Sequence, residues 1–252
     1  MNDNVKKENR KALPKFFLIL LGAALLGGAL GFLSSLVSYS GAEDTVAAAM
    51  DALVGCVLPW LIPAVSLVLL AAAVWQYRAA KRLFESWDGE AEEVADQAES
   101  RLNRVLLLTA VTMVLDFFLL SAAPYSRLSH YGALVSTGVF LAVVVAIMLL
   151  QQRVVDLTRR MNPEKRGSVY DMKFHKKWLE SCDEAERQQI GQAAMRAYRA
   201  TGSACIALWV VLLILDFAFD IGILPSFVAL LLWGILQVSY ILECIRLEKR
   251  KK

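Results

Sequence analysis

The chain has 252 residues, 57% hydrophobic and 20% charged, with 27 Lys and Arg against 24 Asp and Glu for a net charge of +3. Counted with Gly and without Tyr, the apolar share is roughly 60%, against about 45–50% for soluble domains. The excess lies in long uncharged runs, which excludes a soluble globule, a disordered chain, a collagen-like repeat and a disulfide-stapled scaffold.

A helix needs about 20 apolar residues to cross the bilayer, because no water is there to satisfy its backbone. The first such stretch is 16–38, which follows the bases Lys6, Lys7, Arg10, Lys11 and Lys15. Its apolar core is longer than the roughly 7–15 residues of a signal-peptide core, so it reads as a retained span. Within it Ala23, Gly27, Gly31 and Ser35 recur every four residues on one face. Small residues at that spacing let helix backbones approach closely, within the bundle or across a homo-oligomer.

A link at 39–51 with Glu43, Asp44 and Asp51 leads into the second span, 53–76. Pro59 and Pro63 remove two backbone donors and are expected to kink it, and Trp60 and Trp75 mark its two interfaces. In the segment 77–104 the span continues to Trp87, Asp88-Gly89 makes a turn, and an acidic helix follows. The third span, 105–123, holds one acid, Asp116, and a short link with Pro124 leads to the uncharged fourth span, 131–151. The segment 152–201 breaks at Met161-Asn162-Pro163. Beyond it Phe174 and Trp178 share a helix face beside Lys176 and Lys177, the pattern of a short helix lying in the membrane interface or docking a partner. Ser181 with Glu184 reads as a capping box opening the helix that enters the fifth span. That span, 202–219, holds Asp216, and the sixth is 224–242. The expected fold is all-α: a polytopic membrane protein, a six-transmembrane-helix bundle forming one domain over 1–252, with helical cytosolic extensions at 77–104 and 152–201.

Of the 27 Lys and Arg, 26 fall in the N-terminal tail, these two extensions and the tail after Glu243, and Arg127 alone lies on the other side. Short loops rich in bases stay cytoplasmic, so both termini are expected there, in a multi-pass protein of the cell membrane. Anionic lipid accounts for the basic surplus, and no nucleic-acid partner is implied.

Asp116 and Asp216 carry the most chemical information. Each acid sits in a similar context, Val-Leu-Asp-Phe-Phe-Leu-Leu at 114–120 and Ile-Leu-Asp-Phe-Ala-Phe-Asp at 214–220, with Pro124 and Pro225 eight or nine residues later. The likeness suggests hairpins repeated in one orientation. A carboxylate inside a span costs up to about 2.5–3.5 kcal/mol, so each must face the bundle interior. Two roles fit: an ion or proton pathway, or hydrogen bonds across helices to Thr109, Thr112, Ser136, Thr137, Trp209 or Trp233. No Gly-x-Gly-Asp, His-Glu-x-x-His, Gly-x-Ser-x-Gly, Walker A or Rossmann pattern is present, so no catalytic residue, cofactor or enzyme activity is expected. Cys56, Cys182, Cys205 and Cys244 form no Cys-x-x-Cys pair, and His130 and His175 lie on opposite sides of the membrane, so no metal site is expected.

The run Lys173-Phe174-His175-Lys176-Lys177-Trp178-Leu179-Glu180-Ser181-Cys182-Asp183-Glu184-Ala185-Glu186, then Gln192-Ala193-Ala194, is the most recognisable part of the chain. With the basic tail and the Leu- and Gly-rich first span, it resembles a family of uncharacterised membrane proteins of Gram-positive bacteria, a domain-of-unknown-function family, nearly end to end. The resemblance implies a bacterial cytoplasmic membrane and a bundle of about six helices, and no reaction. The expected function is non-enzymatic: an accessory, sensor or self-protection subunit acting through a membrane or cytosolic protein partner. The alternative is a small proton- or cation-coupled transporter or channel using Asp116 and Asp216.

Overall fold

The computed structural model describes residues 42–87, 92–125 and 132–250, with isolated positions between 14 and 32. Seven α-helices lie among the described residues, and no strand. They are α1 (Ala42–Ala52), α2 (Leu58–Glu85), α3 (Glu92–Ala122), α4 (Gly132–Met161), α5 (Phe174–Glu180), α6 (Glu184–Phe219) and α7 (Leu224–Arg250). A 3₁₀ turn, Ala123–Tyr125, closes α3.

Five helices are long and apolar enough to cross a membrane: Ala48–Glu85, Glu93–Tyr125, Leu134–Met161, Glu184–Phe219 and Leu224–Lys249. The expected spans from the second to the sixth fall on them, and the first, 16–38, lies outside the described residues except for isolated positions. The packing face Ala23, Gly27, Gly31 and Ser35 lies wholly outside them. The helices also run on beyond the apolar stretches, α2 to Glu85 and α4 to Met161, while α3 begins as early as Glu92.

The stretch 39–51, expected as a link, is helical from Ala42, and α1 passes into α2 through a π-helical turn, Leu53–Val57. Proline explains the turn. In a regular helix the Pro59 ring would strike the carbonyl of Gly55. The wider turn relieves that crowding, and the Leu58 N–H reaches back five residues to the Leu53 carbonyl. The expected disturbance at Pro59 takes this form, and Pro63 stays inside α2.

The chain divides into two compact units, 48–189, and 1–47 with 190–252. The first is built on α2, α3 and α4. On α3 buried positions recur at alternating steps of three and four, Ala98, Leu102, Val105, Thr109, Thr112, Asp116 and Leu119, and on α2 Ile62, Ser66, Ala73 and Ala80 follow the same repeat at steps of four and seven. On α4 they are Ser136, Ile147, Leu150, Val154 and Leu157. A mean step of 3.5 residues keeps one narrow seam of each helix turned to its neighbours. Ala73, Ala80 and Ala98 are fully buried, and side chains this small bring the backbones together.

Arg101 on α3 donates to the Gln76 side chain on α2 at 3.2 Å, and Gln151 on α4 to Thr109 at 3.3 Å, which fixes the antiparallel register of the three helices. Near the first of these bonds α2 and α3 change from apolar to polar, with Gln76 and Arg78, Arg101 and Arg104 in place, while Gln151 of α4 meets α3 two turns deeper, at Thr109. The seam continues past the change: Ala73, Ala80, Leu102, Val105, Leu150, Val154 and Leu157 form one cluster, with Phe84 and Met161 packed against it. Inside hydrocarbon, packing alone holds such a seam, because lipid tails are as apolar as leucine. Beyond it the hydrophobic effect contributes as well.

In the second unit α6 and α7 pair through Tyr198, whose hydroxyl donates to Gln237 at 2.6 Å and whose ring lies 4.7 Å from that of Tyr240.

Candidate functional site

Three successive seam positions of α3, Thr109, Thr112 and Asp116, are polar within the apolar stretch. The threonine hydroxyls turn onto their own helix, donating to the carbonyls of Leu106 at 2.9 Å and Leu108 at 2.8 Å. This is a common way for a threonine within a helix to satisfy its hydroxyl proton, and Thr109 also accepts from Gln151. Asp116 makes no such bond. It is 0% exposed, and neither carboxyl oxygen has a hydrogen-bond partner. None of the partners expected for it is bonded to it. Ser66 on α2 is also fully buried with an unpartnered hydroxyl. Carrying the Gln76–Arg101 register along the hairpin brings Ser66 within one residue of the level of Thr112, and Asp116 within one residue of that of Ile62.

Asp216 does a different job. It lies three residues before the end of α6, and its carboxylate accepts the Gly222 N–H at 2.7 Å, while its carbonyl accepts the Asp220 N–H at 2.9 Å. Asp220 and Gly222 have φ of 48° and 79°, so Asp216 ties down a left-handed turn that glycine makes easily at one of its two positions. Asp116 and Asp216 lie in separate units.

The second place where polar side chains converge is 162–187. Lys165 is 4% exposed, and its ammonium bonds to Glu186 and lies 3.7 Å from the Cys182 sulfur. Burial alone would push this lysine down, but the hydrogen bonds and charges of Glu186 and Cys182 more than reverse that, so it titrates above its usual range. Gln152 of α4 accepts from the Ser168 hydroxyl at 3.0 Å and the Val169 N–H at 2.9 Å, which anchors the loop to the end of the seam. Asp171 is gripped by the Lys177 ammonium and, at 2.8 Å, by the Lys173 N–H, which hold its carboxyl below the usual range.

Phe174 and Trp178 share a face of α5, as their spacing implies, with ring centroids 5.5 Å apart. That face is turned inward in part. A Cβ on Gly167, whose φ is +133°, would lie 2.8 Å from the Phe174 ring, so this ring covers bare backbone. Lys176 pairs with Glu180 at 3.8 Å and Lys177 with Asp171. The expected capping box is displaced by two residues. Asp183 and Glu186 form it, with Glu186 N–H to Asp183 at 2.8 Å and Asp183 N–H to Glu186 at 3.0 Å. Ser181 is taken up elsewhere, donating to the Trp178 carbonyl at 2.7 Å and accepting the Arg166 N–H at 3.1 Å. Tyr170, Met172 and Leu179 are left facing outward, Met172 at 100% exposure.

A cleft of about 750 Å³ beside this segment sets Arg159, Arg166 and Lys177 against Glu164, Asp171 and Glu180. Equal charge numbers give it no net pull on an anion. Among the described residues no three His, Cys, Asp or Glu side chains gather as a metal site, and the four cysteines are free thiols. Lys165 and Gln152 were not singled out from the sequence, where each is an ordinary polar residue in a polar stretch.

Helices of this length and apolarity define a multi-pass helical membrane protein. The chain belongs to a family described as a protein of unknown function, DUF3169, which it matches over residues 10–244. No curated protein and no solved structure matches it.

Proposed function

We propose that this is a non-enzymatic protein of the bacterial cytoplasmic membrane, with six spans and both termini cytoplasmic, that acts through a protein partner as an accessory, sensor or self-protection subunit. The observation that carries the reading is the segment 162–187. A linker between two spans has no need of a buried lysine, a loop anchored by Gln152 and a reciprocal cap. This one is held in shape yet leaves Tyr170, Met172 and Leu179 uncovered, and fixed apolar side chains rimmed by charge are what a partner surface requires. The base distribution supports placing the segment in the cytoplasm.

The test is a photo-crosslinking amino acid at 172 in the full-length protein, in its native membrane. The expected result is one protein adduct, identified by mass spectrometry and lost when Tyr170 and Leu179 are changed to Ser. Adducts with lipid alone, at unchanged melting temperature, would remove the reading.

A proton- or cation-coupled transporter using Asp116 and Asp216 is the second reading, and the unpartnered Asp116 carboxyl favours it. Its test is ion flux in proteoliposomes. Asp116→Asn is expected to abolish flux with the fold retained, and so is Asp216→Asn, which keeps the oxygen that Gly222 needs. Undiminished flux in both variants excludes it.

A further inference from the structure

The seam residues Ile62, Ser66, Ala73 and Ala80 occupy one side of α2. At about 100° per residue, Leu67, Ala71, Arg78 and Arg82 fall on the opposite side, and Val74 lies at its edge, packed in part against the seam. That side bears a groove of about 460 Å³, floored by Ala71 and Ala79 and walled by Leu67, Leu70, Val74 and Trp75, with Arg78 and Arg82 at one end. We propose that this groove binds one anionic phospholipid, its phosphate between Arg78 and Arg82 and an acyl chain along Leu67, Leu70 and Val74. The inference rests on the membrane-spanning reading of α2.

Length is the first argument. From Arg78 to Leu67 is eleven residues, about 16 Å of helix, or half of an approximately 30 Å hydrocarbon core. The groove therefore runs from the level where α2 turns polar to the middle of the bilayer, the reach of one lipid in one leaflet.

Charge is the second. Of the bases near that level, Arg101 bonds to Gln76 and Lys81 pairs with Glu85 at 3.5 Å. Arg78 and Arg82 make no hydrogen bond or ion pair through their side chains among the described residues. One turn apart, both lie on the same face of α2 and line the same groove, and a guanidinium fork fits a phosphate better than an ammonium does. Trp75, 63% exposed beside them, sits at the depth of the glycerol backbone, where indole is favoured.

The experiment uses the full chain in phosphatidylcholine vesicles doped with brominated phosphatidylglycerol or, separately, brominated phosphatidylcholine. The Trp75 signal is taken as the difference between the protein and Trp75→Phe. Preferential quenching by the brominated phosphatidylglycerol is expected, with the preference falling about fivefold in each of Arg78→Gln and Arg82→Gln. Both arginines are exposed, and an unchanged melting temperature in the variants confirms their fold. Equal quenching by the two lipids overturns the proposal, as does a preference that survives both substitutions. Absence of quenching by either lipid overturns it too, since the face is then covered by protein. Failure of the chain to enter vesicles at all is a failure of the spanning reading instead.

Discussion

A buried ammonium such as that of Lys165 is costly unless its charge is met, and here Glu186 meets it from the first turn of α6. Lys165→Met keeps the buried stem and removes the charge. It is expected to loosen the 162–187 segment by about 1–2 kcal/mol, less than for a fully buried pair because Glu186 still reaches water. Amide exchange over 162–183 measures it. The folded pKa of Lys165 is raised, so its contribution is complete below the unfolded value of about 10.4 and fades as pH rises through the folded one. That of Asp171 is lowered, so its clamp is complete above about 3.9 and fades as pH falls through the folded value. The Trp178 emission is therefore expected to be flat between about pH 5 and 9, with an acid transition that Asp171→Asn removes and an alkaline one that Lys165→Met removes.

Asp116 gives a residue-scale prediction of opposite sign. An unpartnered buried polar group costs about 1–3 kcal/mol, so Asp116→Val, close in size, is expected to raise the melting temperature of the detergent-solubilised protein. A lower melting temperature would mean that the carboxyl has a partner in solution. Asp116 stood out in the sequence as the one charge in its run, but its isolation did not. Which side chains face it depends on the register of three antiparallel helices, and hairpin links do not encode that register locally. Asp216 looked like its counterpart because the flanking residues match. What separates them is distance to the helix end: six residues before Ala122 for one, three before Phe219 for the other. Only the second is close enough to capture a turn N–H.

At the scale of the helix, the seam of α2 makes a directional prediction. Ala73→Leu and Ala80→Leu force a large side chain between touching helices and are expected to cost about 1–3 kcal/mol each. Ala71→Leu, on the outward face, is expected to leave the melting temperature unchanged while filling the groove and weakening the Trp75 lipid preference. Equal effects at 71 and 73 would mean that the outward face is packed as well. The existence of five long helices was legible from apolar length, but the seams were not. Inside hydrocarbon both faces of a helix are apolar, so the amphipathic signal that marks a core face in water vanishes. It returns where the helices leave the apolar zone, at Ala98 and Leu102 among Glu99, Arg101 and Arg104. The π-turn was half legible: two prolines announce a disturbance, and the form it takes depends on whether the helix breaks or widens.

For the whole molecule the decisive prediction concerns orientation. With the native cysteines replaced, Met172→Cys is expected to react with a membrane-impermeant maleimide only after cells are permeabilised, and Arg127→Cys to react in intact cells. The reverse pattern would turn the molecule over and place the 162–187 surface outside, where a cytosolic partner cannot reach it. The lipid proposal is affected differently. Arg78 and Arg82 lie at the same end of the three helices as the polar end of α4, which leads into that surface, so reversal moves them to the outer leaflet together with it. A phosphatidylglycerol preference in symmetric vesicles would survive such a reversal, whereas the partner adduct at 172 would not. Labelling at 127 and 172 thus tests the partner reading independently of the lipid proposal, which stands in either orientation.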